Sequence, residues 1–185
     1  MALTKTPVCD FGKKAEEFNL KSINNKLISL DDIKGKKATL IMFICNHCPY
    51  VKAIIKDLAK DCNELKKEGI NSVAIMSNDT KNYPEDSFEN MIKFAKSNDF
   101  GEINYLIDET QEIAKKYGAV CTPDFFGYNK DLELQYRGRY KELKDLKLVN
   151  NEDSDLKIAM KLIGQTQKGP DEQIPSMGCN IKWFN

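Results

Sequence analysis

The 185-residue sequence has no surplus of either charge: 28 Lys and Arg stand against 28 Asp and Glu, for a formal net charge of zero. Binding to a nucleic-acid backbone is driven by clustered positive charge and counterion release, so no nucleic-acid partner is expected. Long apolar runs are also missing. The longest, Ala38 to Cys45, is far below the about 20 residues of a membrane-spanning helix, and no membrane partner is expected. Met1 to Pro7 lacks the apolar stretch of an export signal, which points to a cytoplasmic location. No internal repeat, low-complexity tract or Ser/Gly linker divides the chain, and a single domain over 1–185 is expected. Histidine is reduced to His47 and tryptophan to Trp183.

What is present suffices for a core. Hydrophobic residues make up 41% of the chain, whereas disordered chains pair low hydrophobicity with high net charge. Phe18 to Lys21 and Lys26 to Leu30 flank an Asn24-Asn25 turn and predict a hairpin. Ala38 to Ile44 is a continuous run of β-formers, as in a strand buried on both faces. From Pro49 the apolar residues Val51, Ile54, Ile55, Leu58, Cys62 and Leu65 recur at steps of three and four, which predicts an amphipathic helix running to Gly69. Strand (70–77), helix (85–98), strand (104–107), helix (109–117), two strands (124–129 and 132–137) and a last helix (153–163) complete the alternation of an α/β layered sheet.

Six cysteines are too scattered for a disulfide-stapled mini-domain. Two of them stand out. Cys45-Asn46-His47-Cys48 lies between the buried strand and the helix, where unpaired N–H groups and the positive end of the helix dipole favour a thiolate. On this reading Cys45 is the exposed, anionic nucleophile, Cys48 attacks the mixed disulfide formed at Cys45, and His47 adds a titratable cation. A Cys-x-x-Cys pair can also be half of a zinc site, but no second ligand pair follows. No metal and no bound cofactor are expected.

The run Leu40 to Tyr50, taken with Tyr117 to Phe126, resembles the thioredoxin superfamily. More narrowly it is similar to the peroxiredoxin-like and TlpA/ResA-like branch, the alkyl hydroperoxide reductase/thiol-specific antioxidant family. The resemblance implies a thioredoxin-like central mixed β-sheet flanked by helices, with an N-terminal hairpin, a core over about 18–138, and a C-terminal helix and tail over 139–185. It also implies that Pro123 is a cis-proline facing the redox loop and that Thr122, with Asn46, docks a partner disulfide. The loop is similar to the Cys-Pro-His-Cys loop of oxidising periplasmic oxidoreductases, with Asn46 in place of Pro.

The leading expectation is a thiol–disulfide oxidoreductase working on protein or small-molecule disulfides, with a thioredoxin or glutathione system as reducing partner. A peroxiredoxin-like peroxidase is the alternative. That family places Thr or Ser three positions before its peroxidatic thiol and Pro seven before. Counting back gives Met42 and Ala38 from Cys45, and Cys45 and Ile41 from Cys48, so neither register carries the pattern. A redox-inactive or redox-sensing binding module is a further alternative. Among the other cysteines, Cys62 falls on the apolar helix stripe as core, Cys9 reads as incidental, and Cys121 and Cys179 are possible auxiliary thiols. Cys179 lies in a Ser-x-Gly-Cys-x-Ile-Lys-Trp ending similar to that of peroxiredoxin-like proteins, and Trp183 is expected to anchor that tail by burial.

Overall fold

The computed structural model describes residues 3–7 and 10–184. Cys9 lies outside them. In chain order the elements are β1 (Leu3–Lys5), β2 (Asn19–Ser22), β3 (Leu27–Ser29), α1 (Leu30–Ile33), β4 (Ala38–Phe43), α2 (Pro49–Lys67) and β5 (Ile70–Met76). A single 3-10 turn (Pro84–Asp86) precedes α3 (Phe88–Ser97), β6 (Asn104–Ile107), α4 (Glu112–Tyr117), β7 (Cys121–Thr122) and β8 (Asp124–Asn129). Then come β9 (Leu134–Tyr136), β10 (Leu143–Lys144), β11 (Lys147–Leu148), α5 (Asp155–Thr166) and β12 (Met177–Asn180).

Seven strands form a mixed sheet in the order β3-β2-β6-β5-β4-β8-β9. β4 runs parallel to β5 and antiparallel to β8, so it has a partner on each edge. Its side chains alternate between the two faces. Leu40 and Met42 join the α2, α3 and α5 layer, while Ile41 and Phe43 meet α1 and α4 across the sheet. All are buried, and each apolar side chain so enclosed contributes about 1.5–3 kcal/mol.

The helix stripe read from the sequence is the face that α2 buries, Cys62 included. Burial pushes the Cys62 thiol up to about 12, as suits a core residue. The hairpin forms as β2 and β3, and Asn25 in its turn has a φ of 60°. Gly118 ends α4 with a φ of 64°, a left-handed cap that costs glycine little.

A second, three-stranded sheet has the order β1-β12-β7. None of its strands has a sequence signature, because each is short. They form by completing one another's edges: β12 pairs with β1 on one side and with β7 on the other. The tail is not anchored as expected. Trp183 remains 37% exposed. Its neighbour Lys182 holds the chain instead, its N–H donating to Asn78 Oδ1 (2.9 Å) and its carbonyl accepting from the Asp79 N–H (2.8 Å) and the Gln111 side chain (2.8 Å).

Candidate active site

Helix α2 begins at Pro49, which makes Cys48 its N-cap. The sequence alone puts the helix-end advantage at Cys45; the structure puts it at Cys48. The Cys48 sulfur lies 3.0 Å from the Cys179 sulfur at the positive end of the helix, and its side chain makes no cap hydrogen bond of its own. The neighbouring Cys45 thiol, ahead of Cys179, outweighs the cost of burial and lowers the Cys48 thiol to about 5. One contact works the other way, since the protonated thiol donates to the Thr122 carbonyl at 3.1 Å.

Cys45 shifts in the opposite direction. By donating to Cys48, through its own burial and through the negative charge of Asp86, its thiol is held well above the ordinary range. Its sulfur lies 3.4 Å from the Thr122 hydroxyl and 3.9 Å from His47 Nδ1. Neither sulfur is exposed: both residues are at most 1% accessible. The expected exposed Cys45 is therefore replaced by a buried one, and the opposite directions of the two shifts favour the anion at Cys48 over Cys45.

The loop is held by a residue that the sequence did not single out. Asp86 accepts from the amides of Asn46 (2.8 Å) and His47 (3.3 Å) on Oδ1, and from Asn78 Nδ2 (2.8 Å) and His47 Nδ1 (2.7 Å) around Oδ2. Burial alone would raise its carboxyl, but the bonds from His47 and Asn78 bring it below the usual range. The same bond raises His47, whose ring also stacks on Tyr83 at 5.7 Å. Asp86 carried no sequence signal because it sits in an ordinary Pro-Glu-Asp turn, and its partners are distant in the chain.

Asn46 does not face a partner. Its Nδ2 donates to the Glu85 carbonyl and its Oδ1 accepts from buried Tyr105, so it pins the loop from within. Thr122 has no vacant backbone edge, because β12 occupies it with Cys179 opposite Thr122. The Thr122–Pro123 bond is cis. Behind it, Asp124 accepts from buried Arg137 at 2.9 Å and from the Val120 amide at 3.3 Å, which fixes the chain on both sides of the proline.

Of the two auxiliary thiols considered, Cys179 is brought to the site, 3.0 Å from Cys48. Cys121 turns its sulfur to the Pro123 carbonyl at 3.5 Å, and burial raises its thiol. Cys45 Sγ, His47 Nδ1 and Asp86 Oδ2 lie within 4.8 Å of one another and could hold a cation. The Asp86 oxygens, however, are already engaged in holding the loop. Of the nearby arginines, Arg137 is bound to Asp124 and Arg139 to Asp155.

A mixed sheet with helices on both faces, thiols at a strand-to-helix junction and a cis-proline beside them define the thioredoxin-fold oxidoreductase class. Residues 11–140 match the AhpC/TSA family, and the chain belongs to it. It is similar to an uncharacterized conserved protein from Geobacillus kaustophilus, at 39% identity and a TM-score of 0.94, over 100% of this chain and 97% of that one. It is also similar to a hypothetical protein from Sinorhizobium meliloti 1021, at 35% identity and a TM-score of 0.90, over 98% of both chains. The thioredoxin domain of a thiol-disulfide oxidoreductase from Bacteroides vulgatus shares the fold at 17% identity and a TM-score of 0.59, over 70% of this chain and 89% of that one. Comparison with curated proteins gives no match.

Proposed function

We propose that the protein is a thiol–disulfide oxidoreductase that exchanges disulfides through the Cys45/Cys48 dithiol, with Cys48 as the attacking sulfur. The observation that carries this reading is the N-cap placement of Cys48, with Cys45 as hydrogen-bonded neighbour and the cis-proline strand alongside. The thiolate is the attacking species in exchange, and the lowering of the Cys48 thiol favours that species there.

In the first step the Cys48 thiolate attacks one sulfur of a partner R–S–S–R′. The partner bond breaks, a Cys48–S–S–R bond forms, and R′–S⁻ leaves to take up a proton. In the second step Cys45 releases its proton and attacks Cys48 Sγ, R–S⁻ departs, and the Cys45–Cys48 disulfide remains. The partner has gained two electrons and two protons, one released by Cys45 and one drawn from solvent. His47, whose pKa the Asp86 bond raises, lies 3.9 Å from Cys45 and in its protonated form favours the anion that must develop there.

Beside Pro123 a cavity of about 550 Å³ is bordered by Tyr50, Ile54, Tyr140, Leu143 and Met177. It offers apolar surface to the chain flanking a partner's disulfide. Return to the dithiol requires a reductant of the thioredoxin or glutathione class. No helix among the described residues is long and apolar enough to cross a membrane.

The test is insulin reduction driven by an external thiol. The wild-type chain is expected to turn over and Cys48→Ser to fall to the rate of the external thiol alone. Equal rates for the two would overturn the assignment.

A further inference from the structure

The third sulfur at the site belongs to the C-terminal strand, and separate features seat it there. β12 pairs with β7 so that Cys179 stands opposite Thr122. Gly178 permits the approach: a β-carbon at that position would lie 2.1 Å from the Thr122 carbonyl oxygen and 3.1 Å from Cδ of Pro123. Beyond Cys179, the Lys182 backbone is clasped by Asn78, Asp79 and Gln111. Asn78 in turn donates to Asp86, which holds His47, so the tail and the redox loop share one hydrogen-bond network. The outcome is a Cys48–Cys179 sulfur separation of 3.0 Å.

Those contacts hold the Cys179 sulfur within reach of Cys48 for exchange. We propose that Cys179 is a third exchanging thiol: it displaces Cys45 from the Cys45–Cys48 disulfide and leaves a Cys48–Cys179 disulfide that fastens the C-terminal strand over the site. The inference rests on the dithiol reading above, because Cys45–Cys48 is the disulfide it consumes. Cys179 loses its proton to solvent and attacks Cys48 Sγ. The Cys45–Cys48 bond breaks as the Cys48–Cys179 bond forms, and Cys45 leaves as a thiolate that takes up a proton. One disulfide replaces another, so no oxidant beyond the original partner disulfide is needed.

The electrostatics make this step conditional. In the reduced chain, burial, the hydrogen bond to Cys48 and the Cys48 charge push the Cys179 thiol up to about 12. Oxidation of Cys48 removes the last two causes and leaves the nearby Lys182 charge, which favours the thiolate. Burial still opposes ionisation, but Cys179 loses its proton more readily once the dithiol is oxidised than while it is reduced. The product closes the Thr122 edge covalently, so the chain has one oxidised form whose tail can yield to a partner and one whose tail cannot.

The experiment equilibrates the wild-type chain and Cys179→Ser in glutathione buffers of stepped poise. Each sample is quenched in acid, blocked with N-ethylmaleimide, digested without reduction and mapped by mass spectrometry. The wild type is expected to yield both Cys45–Cys48 and Cys48–Cys179 peptides, the second at no less than about a tenth of the first. Cys179→Ser is expected to yield Cys45–Cys48 alone. A wild type carrying only Cys45–Cys48 overturns this inference and leaves the dithiol reading standing. A wild type with no Cys45–Cys48 linkage at any poise overturns the dithiol reading itself.

Discussion

A sulfur at the N-cap of a helix sits before unpaired amide donors, and one that also receives hydrogen bonds from two neighbouring thiols has little reason to keep its proton. Cys48 meets both conditions and Cys45 meets neither. Thiolate absorbance near 240 nm should accordingly disappear as pH falls through about 5 in the wild type and be absent at neutral pH in Cys48→Ser. An anion signal that survives Cys48→Ser would return the charge to Cys45. His47, as the one histidine, gives a clean titration by NMR. Its pKa is raised above 6.5 by the Asp86 bond, and Asp86→Asn should move it down. Because the folded value lies above the unfolded one, the stability contributed by His47 is complete below pH 6.5 and is lost as pH rises through the raised value. The Asp86 part runs oppositely: its folded pKa lies below 3.8, so that part is lost on acidification through the lowered value. Denaturation of Asp86→Asn at pH 6 should show a loss of about 1.5–3 kcal/mol, the worth of a charged hydrogen bond.

The elements differ in what fixes them. β4 and α2 were legible in the sequence because each announces itself by its own periodicity, a continuous β-former run and a three-to-four apolar repeat. β7 and β12 were not, since these strands exist only as completions of one another's edges. The start of α2 was legible only to within a few residues, and that margin decided which cysteine holds the charge. Gly178 is the residue on which the β12 approach depends. Gly178→Ala should lift the strand from Thr122 and raise the rate of Cys48 alkylation by iodoacetamide about tenfold or more, as local opening exposes the sulfur. An unchanged rate would mean that the tail does not govern access. At the other side of Pro123, the Arg137–Asp124 pair is buried, so Arg137→Ala leaves an unpaired carboxylate. A loss of about 3–5 kcal/mol in urea denaturation is expected.

Taken together, the layers explain why a protein with a balanced charge and one histidine can still ionise a thiol. The sheet delivers the end of β4 to the start of α2, the 3-10 turn brings Asp86 under the loop, and the tail closes the remaining side. Fold class and family resemblance could be read from Leu40 to Tyr50 and Tyr117 to Phe126, because those segments carry the buried strand, the redox loop and the proline. The third sulfur and the Asp86 support could not be read in the same way. They depend on contacts between segments far apart in the chain, which no local pattern encodes. The most direct measurement of the central claim is the redox equilibrium of the wild-type chain against glutathione, followed by counting free thiols. A concerted loss of two thiols along a two-electron curve, about 30 mV per decade, with protection abolished in Cys48→Ser, is the predicted result. Loss of single thiols as glutathione adducts, with no two-thiol step at any poise, would contradict it.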